Sequence, residues 1–277
     1  MRASTYFEGE PSRIGVNAFS IVIDIKITSM KKKNNLQRPV LNSLGLLFMI
    51  AGAVLFFSSC RKVVGTGPVV TENRSGDNFT SISLHLSGNV YYKQASTYSV
   101  EIKAQQNILD IIESPVINQE LVLRFKRNVI VRRHEDISVT ISSPSVSALS
   151  VNGSCNLQTI GDFSPANCRL EISGSGNISI SNMVTDNMDG EISGSGDIRV
   201  LGGSANYQSL KISGSGSMDF LNMPAKTVNT TTSGSGSIRV NVSERLDAKI
   251  SGSGHVYYKG TPVVNVSISG SGKVTSL

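Results

Sequence analysis

The 277-residue chain has no tryptophan, three cysteines, three histidines and eight prolines. Without Trp, and with aromatic residues at 6% of the chain, stacking platforms for sugars or bases are scarce. His85, His134 and His255 stand far apart in sequence and read as structural or exposed residues, not as catalytic ones. The longest apolar stretch, Leu44–Phe57, has 14 residues. As a helix it would span about 21 Å, short of the roughly 30 Å hydrocarbon core. Charge of one sign is also lacking where it would matter. The net charge is +6, but residues 1–59 hold seven Lys/Arg against three Asp/Glu, and the rest holds 19 against 17. A nearly neutral remainder excludes the strongly basic footprint of a nucleic-acid binder. The local run Arg124–Arg133 is followed at once by Glu135 and Asp136, and reads as a solvated hairpin edge.

Glycine is what the chain has in quantity, and its placement is periodic. Ser-Gly-Ser-Gly begins at Ser173, Ser193, Ser213, Ser233, Ser251 and Ser269, at spacings of 20, 20, 20, 18 and 18 residues. A fixed period of this length marks a stacked repeat architecture. On both sides of each Gly pair apolar and polar residues alternate, which is the pattern of a half-buried strand. The glycines permit a sharp corner, and two of them in every segment disfavour a helix. Each repeat therefore reads as strand, corner, strand and variable loop. Ile172, Ile192, Ile212, Thr232, Ile250 and Ile268 form one inward column, and Ile178, Ile198, Met218, Ile238, Val256 and Val274 a second. An outward column runs Ser179, Arg199, Asp219, Arg239, Tyr257, Thr275, so Asp219 should lie between the two arginines. Val151–Leu157 reads as a degenerate copy, and Leu86-Ser-Gly-Asn-Val90 echoes the end copy that starts at Ile250.

Ahead of the repeats, Ile82–Leu86, Tyr98–Ile102, Leu121–Phe125 and Ile137–Ile141 alternate as strands, and Asn107–Glu113 fits one or two helical turns. No composition break separates this part from the repeats, so residues 71–277 form one domain with a soft division near residue 145. Further upstream, Lys31, Lys32, Lys33 and Arg38 precede the apolar stretch, the layout of a signal peptide over residues 30–59. Phe57-Ser-Ser-Cys60 resembles a bacterial lipobox, with Phe57 where Leu is usual, and makes Cys60 the expected lipidation site. The alternatives are a plain membrane anchor or a signal peptide with an unmodified Cys. Met30 makes a natural start, which leaves residues 1–29 as an over-annotated upstream segment or else a long n-region. Residues 60–70 read as a linker. Arg61-Lys62-Val63 lacks the acidic run of a surface-export signal, which favours the periplasmic side and leaves the face of the outer membrane open. Outside the cytoplasm a disulfide between Cys155 and Cys168 is allowed.

Phe79–Ile82, Leu86–Val90, Val100–Ile102, Ile108–Ile112, Leu121–Leu123 and the Ile-Ser-Gly-Ser-Gly series together resemble a family of bacterial envelope proteins described as "putative auto-transporter adhesin, head GIN domain". The resemblance covers about Val70 to Leu277. It implies an all-β, right-handed, single-stranded parallel β-helix-like solenoid, a lipoprotein of Bacteroidetes-type bacteria, and no catalytic residues.

The residues themselves point the same way. Acidic positions in the repeats are dispersed and balanced by Lys or Arg, and Asp186, Asp189 and Asp197 are the nearest thing to the carboxylate cluster of a polysaccharide-cleaving enzyme. A calcium ladder would need Asp after every corner, but that position holds Asn177, Asp197, Ser217, Ser237, His255 and Lys273. No Gly-Lys-Ser/Thr follows the glycines, so they form no phosphate loop. Tyr91-Tyr92 and Tyr257-Tyr258 offer a small aromatic patch near the ends of the stack, with one Tyr of each pair facing inward. The expectation is a non-enzymatic, lipid-anchored envelope protein with no cofactor or metal. Its partners would be the membrane, through the lipid, and a protein or glycan surface. A periplasmic scaffold or sensor in envelope-stress signalling is the alternative, and a polysaccharide-active enzyme a third.

Overall fold

The computed structural model describes residues 61–75 and 78–277. The leader, residues 1–29 and Cys60 lie outside the described residues. One turn of the stack shows how the sequence sets the fold. A first leg, Asn167–Gly174, ends at the Ser175-Gly176 corner, and a second leg, Asn177–Ile180, follows. The chain then bends into a third leg at Asn182, and that strand continues to Gly194 as the first leg of the next turn. Each leg pairs in parallel with its counterpart one repeat on, as in Ile172 with Ile192 and Ile178 with Ile198.

The inward columns stack in the expected register. Val151, Ile172, Ile192, Ile212, Thr232, Ile250 and Ile268 lie in line on the first legs. Leu157, Ile178, Ile198, Met218, Ile238, Val256 and Val274 do so on the second. From Val151 to Ile250 and from Leu157 to Val256, these side chains are no more than 1% exposed. Each contributes about 1.5–3 kcal/mol, and no turn buries its own face alone. The corners stack equally closely, with the Ser195 amide donating to the Gly174 carbonyl at 2.9 Å. Shortening from 20 to 18 residues is absorbed in the third leg, where pairing shifts between Phe220 and Thr227.

The first turn of the stack is earlier and less regular. Ser81–His85 lies on Ala148–Val151, and Asn89–Gln94 on Asn156–Thr159. Leu84, two residues before the expected Leu86, is the ladder partner of Val151. Leu86 takes the corner and is buried there. Only the Leu86 end of the echo is displaced, by two, because strand pairing fixes which residue faces inward; Asn89 and Val90 stand in register on Asn156 and Leu157.

After this turn the chain leaves the stack and returns at Ala148. The excursion covers the end of the solenoid. Glu120–Phe125 lies parallel on Ser81–His85, and Ser138–Ser143 parallel on Asn89–Gln94. Ser99–Gln105 then runs antiparallel to Ser138–Ser143, with Val69–Ser75 beside it. The helical stretch is a single turn, Gln106–Leu109, followed by the strand Ile112–Glu113. The basic run is not one hairpin. Arg124 lies in the strand Glu120–Phe125 and pairs with Glu113 at 2.9 Å, whereas Val129–Val131 joins Arg61–Val63 in a separate two-stranded sheet.

Candidate binding face

The second legs are four residues long at Asn177–Ile180 and Asp197–Val200, so each shows two outward side chains. Repetition turns these into two parallel columns. One runs Asn89, Asn156, Asn177, Asp197, Ser217, Ser237, His255, Lys273. Asn156 donates to Asn89 Oδ1 at 3.3 Å and Asn177 to Asn156 Oδ1 at 2.9 Å. The Asp197 amide donates to Asn177 Oδ1 at 3.1 Å, and Ser217 Oγ to Asp197 at 2.6 Å. The other column runs Tyr91, Gln158, Ser179, Arg199, Asp219, Arg239, Tyr257, Thr275. Along these columns lies an open groove of about 390 Å³, lined among others by Asn177, Asp197, Arg199, Ser217, Asp219 and Arg239.

Asp219 sits between the two arginines as expected, but both contacts are long. Arg199 Nε is 4.0 Å and Arg239 Nη1 3.9 Å from Asp219 Oδ2. Arg239 also lies over the Tyr257 ring, 5.8 Å from its centroid. Exposed pairs at such distances contribute about 0–1 kcal/mol, and most of the guanidinium N–H donors stay available. The first-leg column differs: Glu191 accepts from Arg169 at 3.0 Å and from Lys211 at 3.0 Å. The Lys211 hydrogen bond, with the charges of Lys211 and Arg169, holds the Glu191 carboxyl below the usual carboxylate range against partial burial. The second-leg face therefore has loosely paired arginines beside a groove, while on the first-leg face Arg169, Glu191 and Lys211 are closely paired with one another.

The other sequence candidates are placed as follows. Tyr92 is fully buried, 3.1 Å from Ser143 Oγ and edge-on to Phe163. Tyr258 is partly buried against the core. Tyr91 and Tyr257 face outward in one column, but six rungs, about 29 Å at strand spacing, separate them. The four tyrosines thus form no single patch. Cys155 and Cys168 are free and buried, and the bridge between them is not made. Cys155 takes a corner, and Cys168 begins the next first leg. Cys168 stands beside the start of the leg Ala148–Gly153 and Cys155 follows the end of that leg, so its six residues, about 20 Å, separate the two where a disulfide tolerates about 7 Å between Cα atoms. Burial pushes both thiols up to about 12.

Asp186 accepts from Asn206 at 2.8 Å, and Asp189 lies on the first leg between Arg169 and Ser209. Neither converges with Asp197 on the second leg. His85 Nε2 is 2.9 Å from Ser83 Oγ, and His134 Nδ1 2.7 Å from the Glu135 carbonyl oxygen. His255 has a buried Nδ1 without a hydrogen-bond partner among the described residues. Among the described residues no three His, Cys, Asp or Glu side chains group closely enough to hold a metal ion. Sequence reasoning missed the asparagine contacts between turns: Asn182 to Asp162, Asn187 to Asn167, and Asn265 to Asp247. Their signal is Asn or Asp recurring at the repeat spacing.

The same architecture occurs in solved structures. A "putative adhesin" from Bacteroides fragilis is 26% identical with a TM-score of 0.73, over 78% of this chain and 100% of that one. A "putative adhesin" and a "putative lipid binding protein", both from Parabacteroides distasonis, share the fold at 22% and 23% identity. Their TM-scores are 0.67 and 0.66, again over 78% of this chain and 100% of theirs. No curated protein matches the chain. A family model described as "Putative auto-transporter adhesin, head GIN domain" matches residues 78–262. The chain belongs to that family.

Proposed function

We propose that this chain is a non-enzymatic, lipid-anchored binding protein of the bacterial cell envelope, and that the second-leg face is its adhesive surface. The observation that carries this reading is the groove beside the Arg199–Asp219–Arg239 column. Its arginine donors are exposed and only loosely paired, and the strands that carry them are paired in parallel on neighbouring turns. Such a surface suits a linear polar ligand that presents carboxylate, sulfate or phosphate groups, which arginine binds in a two-pronged geometry. Family membership and the adhesin-like neighbours support the binding role. The lipid anchor rests on the Phe57-Ser-Ser-Cys60 motif. Metabolic labelling with palmitate tests it: the wild-type chain should take up label and Cys60→Ala should not. Equal labelling of both, or of neither, would remove the anchor.

A second reading, a periplasmic scaffold or sensor, is favoured by one feature. Arg61 and Lys62 follow the cysteine directly, where a surface-export signal would be acidic. Digestion of the chain by protease added to intact cells would count against it.

A further inference from the structure

The two ends of the solenoid are built differently. At the N-terminal end the excursion covers the first turn, and the outermost strand, Val69–Ser75, carries Glu72 and Arg74. At the C-terminal end nothing among the described residues covers the last turn. Its strands, Val263–Gly270 and Lys273–Ser276, each pair on one side only, with the preceding turn. The inward ladder is left open there. Val266 is 47% and Ile268 41% exposed, whereas their partners one rung inside, Ala248 and Ile250, are 4% and 1% exposed. Val263, at the start of the strand, is 68% exposed.

Such an edge is ordinarily blunted by charge, proline or a bulge. Here Val263–Gly270 has none of these. Its pairing with Arg245–Gly252 runs without a register shift, and from Gly260 to Leu277 Lys273 is the one charged side chain. Terminal repeats normally present a polar cap, because an open core end is poorly soluble.

We propose that this end is an interface between two copies of the chain, related by a two-fold axis through Val266. The charge pattern suits this occupant. Because the strand is uncharged on both faces, a copy laid antiparallel on itself brings no like charges together. A two-fold axis through a residue also keeps inward side chains inward on both copies. Centred on Val266, it sets Val264 against the partner's Ile268 and Val266 against its own mate. On the outward side Asn265 meets the partner's Ser267, a donor–acceptor pair made twice. The pairing also satisfies the open backbone N–H and C=O groups of the edge.

Sedimentation of the full chain in mild detergent tests this, alongside Val266→Lys and Val266→Cys. The wild-type chain should be a dimer. Val266→Lys should be at least tenfold weaker in self-association, with its melting temperature at high dilution unchanged. Val266→Cys should give a covalent dimer under mild oxidation where the wild-type chain does not. In hydrogen exchange, the amides of Val263–Gly270 should slow on dimerisation. A monomeric wild-type chain with a fast-exchanging edge would overturn the proposal and leave the end open to a strand from another protein. A dimer that survives Val266→Lys, or a Val266→Cys chain that does not cross-link, would overturn it equally.

Discussion

The inward column contains one polar intruder. Thr232 stacks between Ile212 and Ile250, is fully buried, and its Oγ1 has no hydrogen-bond partner among the described residues. A buried unsatisfied hydroxyl costs about 1–3 kcal/mol, so Thr232→Val should raise stability by about 1 kcal/mol in urea unfolding. A lower midpoint would mean that Thr232 has a partner. The corner residue Gly194 makes the opposite case. Its φ is 138°, and a Cβ there would run into the carbonyl oxygen of Gly174 in the corner below. Gly194→Ala should cost roughly 1–3 kcal/mol from backbone strain alone, and more from the clash. Gly161→Ala should cost less, since φ is 75° there but no heavy atom lies within 4 Å. Equal losses would show that stacking of the corners matters little. At this scale the sequence was highly legible: alternation and the recurring glycines named the inward residues one by one. Leu84 was not legible, because Leu84 and Leu86 both satisfy the alternation and only strand pairing chooses between them.

At the scale of elements, the legs depend on what their outward columns do. On the first leg, Glu191 is held between Arg169 and Lys211, and its carboxyl lies below the ordinary range. A depressed folded value means that this charge stabilises the fold above the unfolded carboxylate pKa, about 4.3, and stops doing so as pH falls through the folded value. Glu191→Gln should therefore lower the urea midpoint near pH 7, and the difference should shrink as pH falls below the unfolded value. A difference that persists in acid would assign the effect to packing instead. The strands ahead of the repeats were legible as strands, since Ile82–Leu86, Leu121–Phe125 and Ile137–Ile141 all alternate. Their arrangement was not. Nothing local distinguishes a strand that continues the stack from one that leaves it, and the excursion between Gln94 and Ala148 is defined by contacts distant in sequence. The paired tyrosines failed for a related reason. Alternation placed one of each pair inward, but the number of turns between Tyr91 and Tyr257 follows only from the completed stack.

The described residues form a stack with one end covered, the other left open among them, and outward columns that differ from leg to leg. Its fold was legible because a repeat states its own register many times over. Its binding face was half legible: the alternation of Arg199, Asp219 and Arg239 was readable, but not the length of their contacts or the groove beside them. What that face meets depends on where it is displayed. The most direct measurement is labelling of Arg199→Cys on intact cells with a membrane-impermeant maleimide. Arg199 is 62% exposed, whereas Cys155 and Cys168 are buried, with thiols raised to about 12. They should therefore stay silent until the chain is unfolded. An adhesive surface predicts that Arg199→Cys is labelled on intact cells and the wild-type chain is not. Labelling that appears only after the outer membrane is opened would contradict it and place the face in the periplasm.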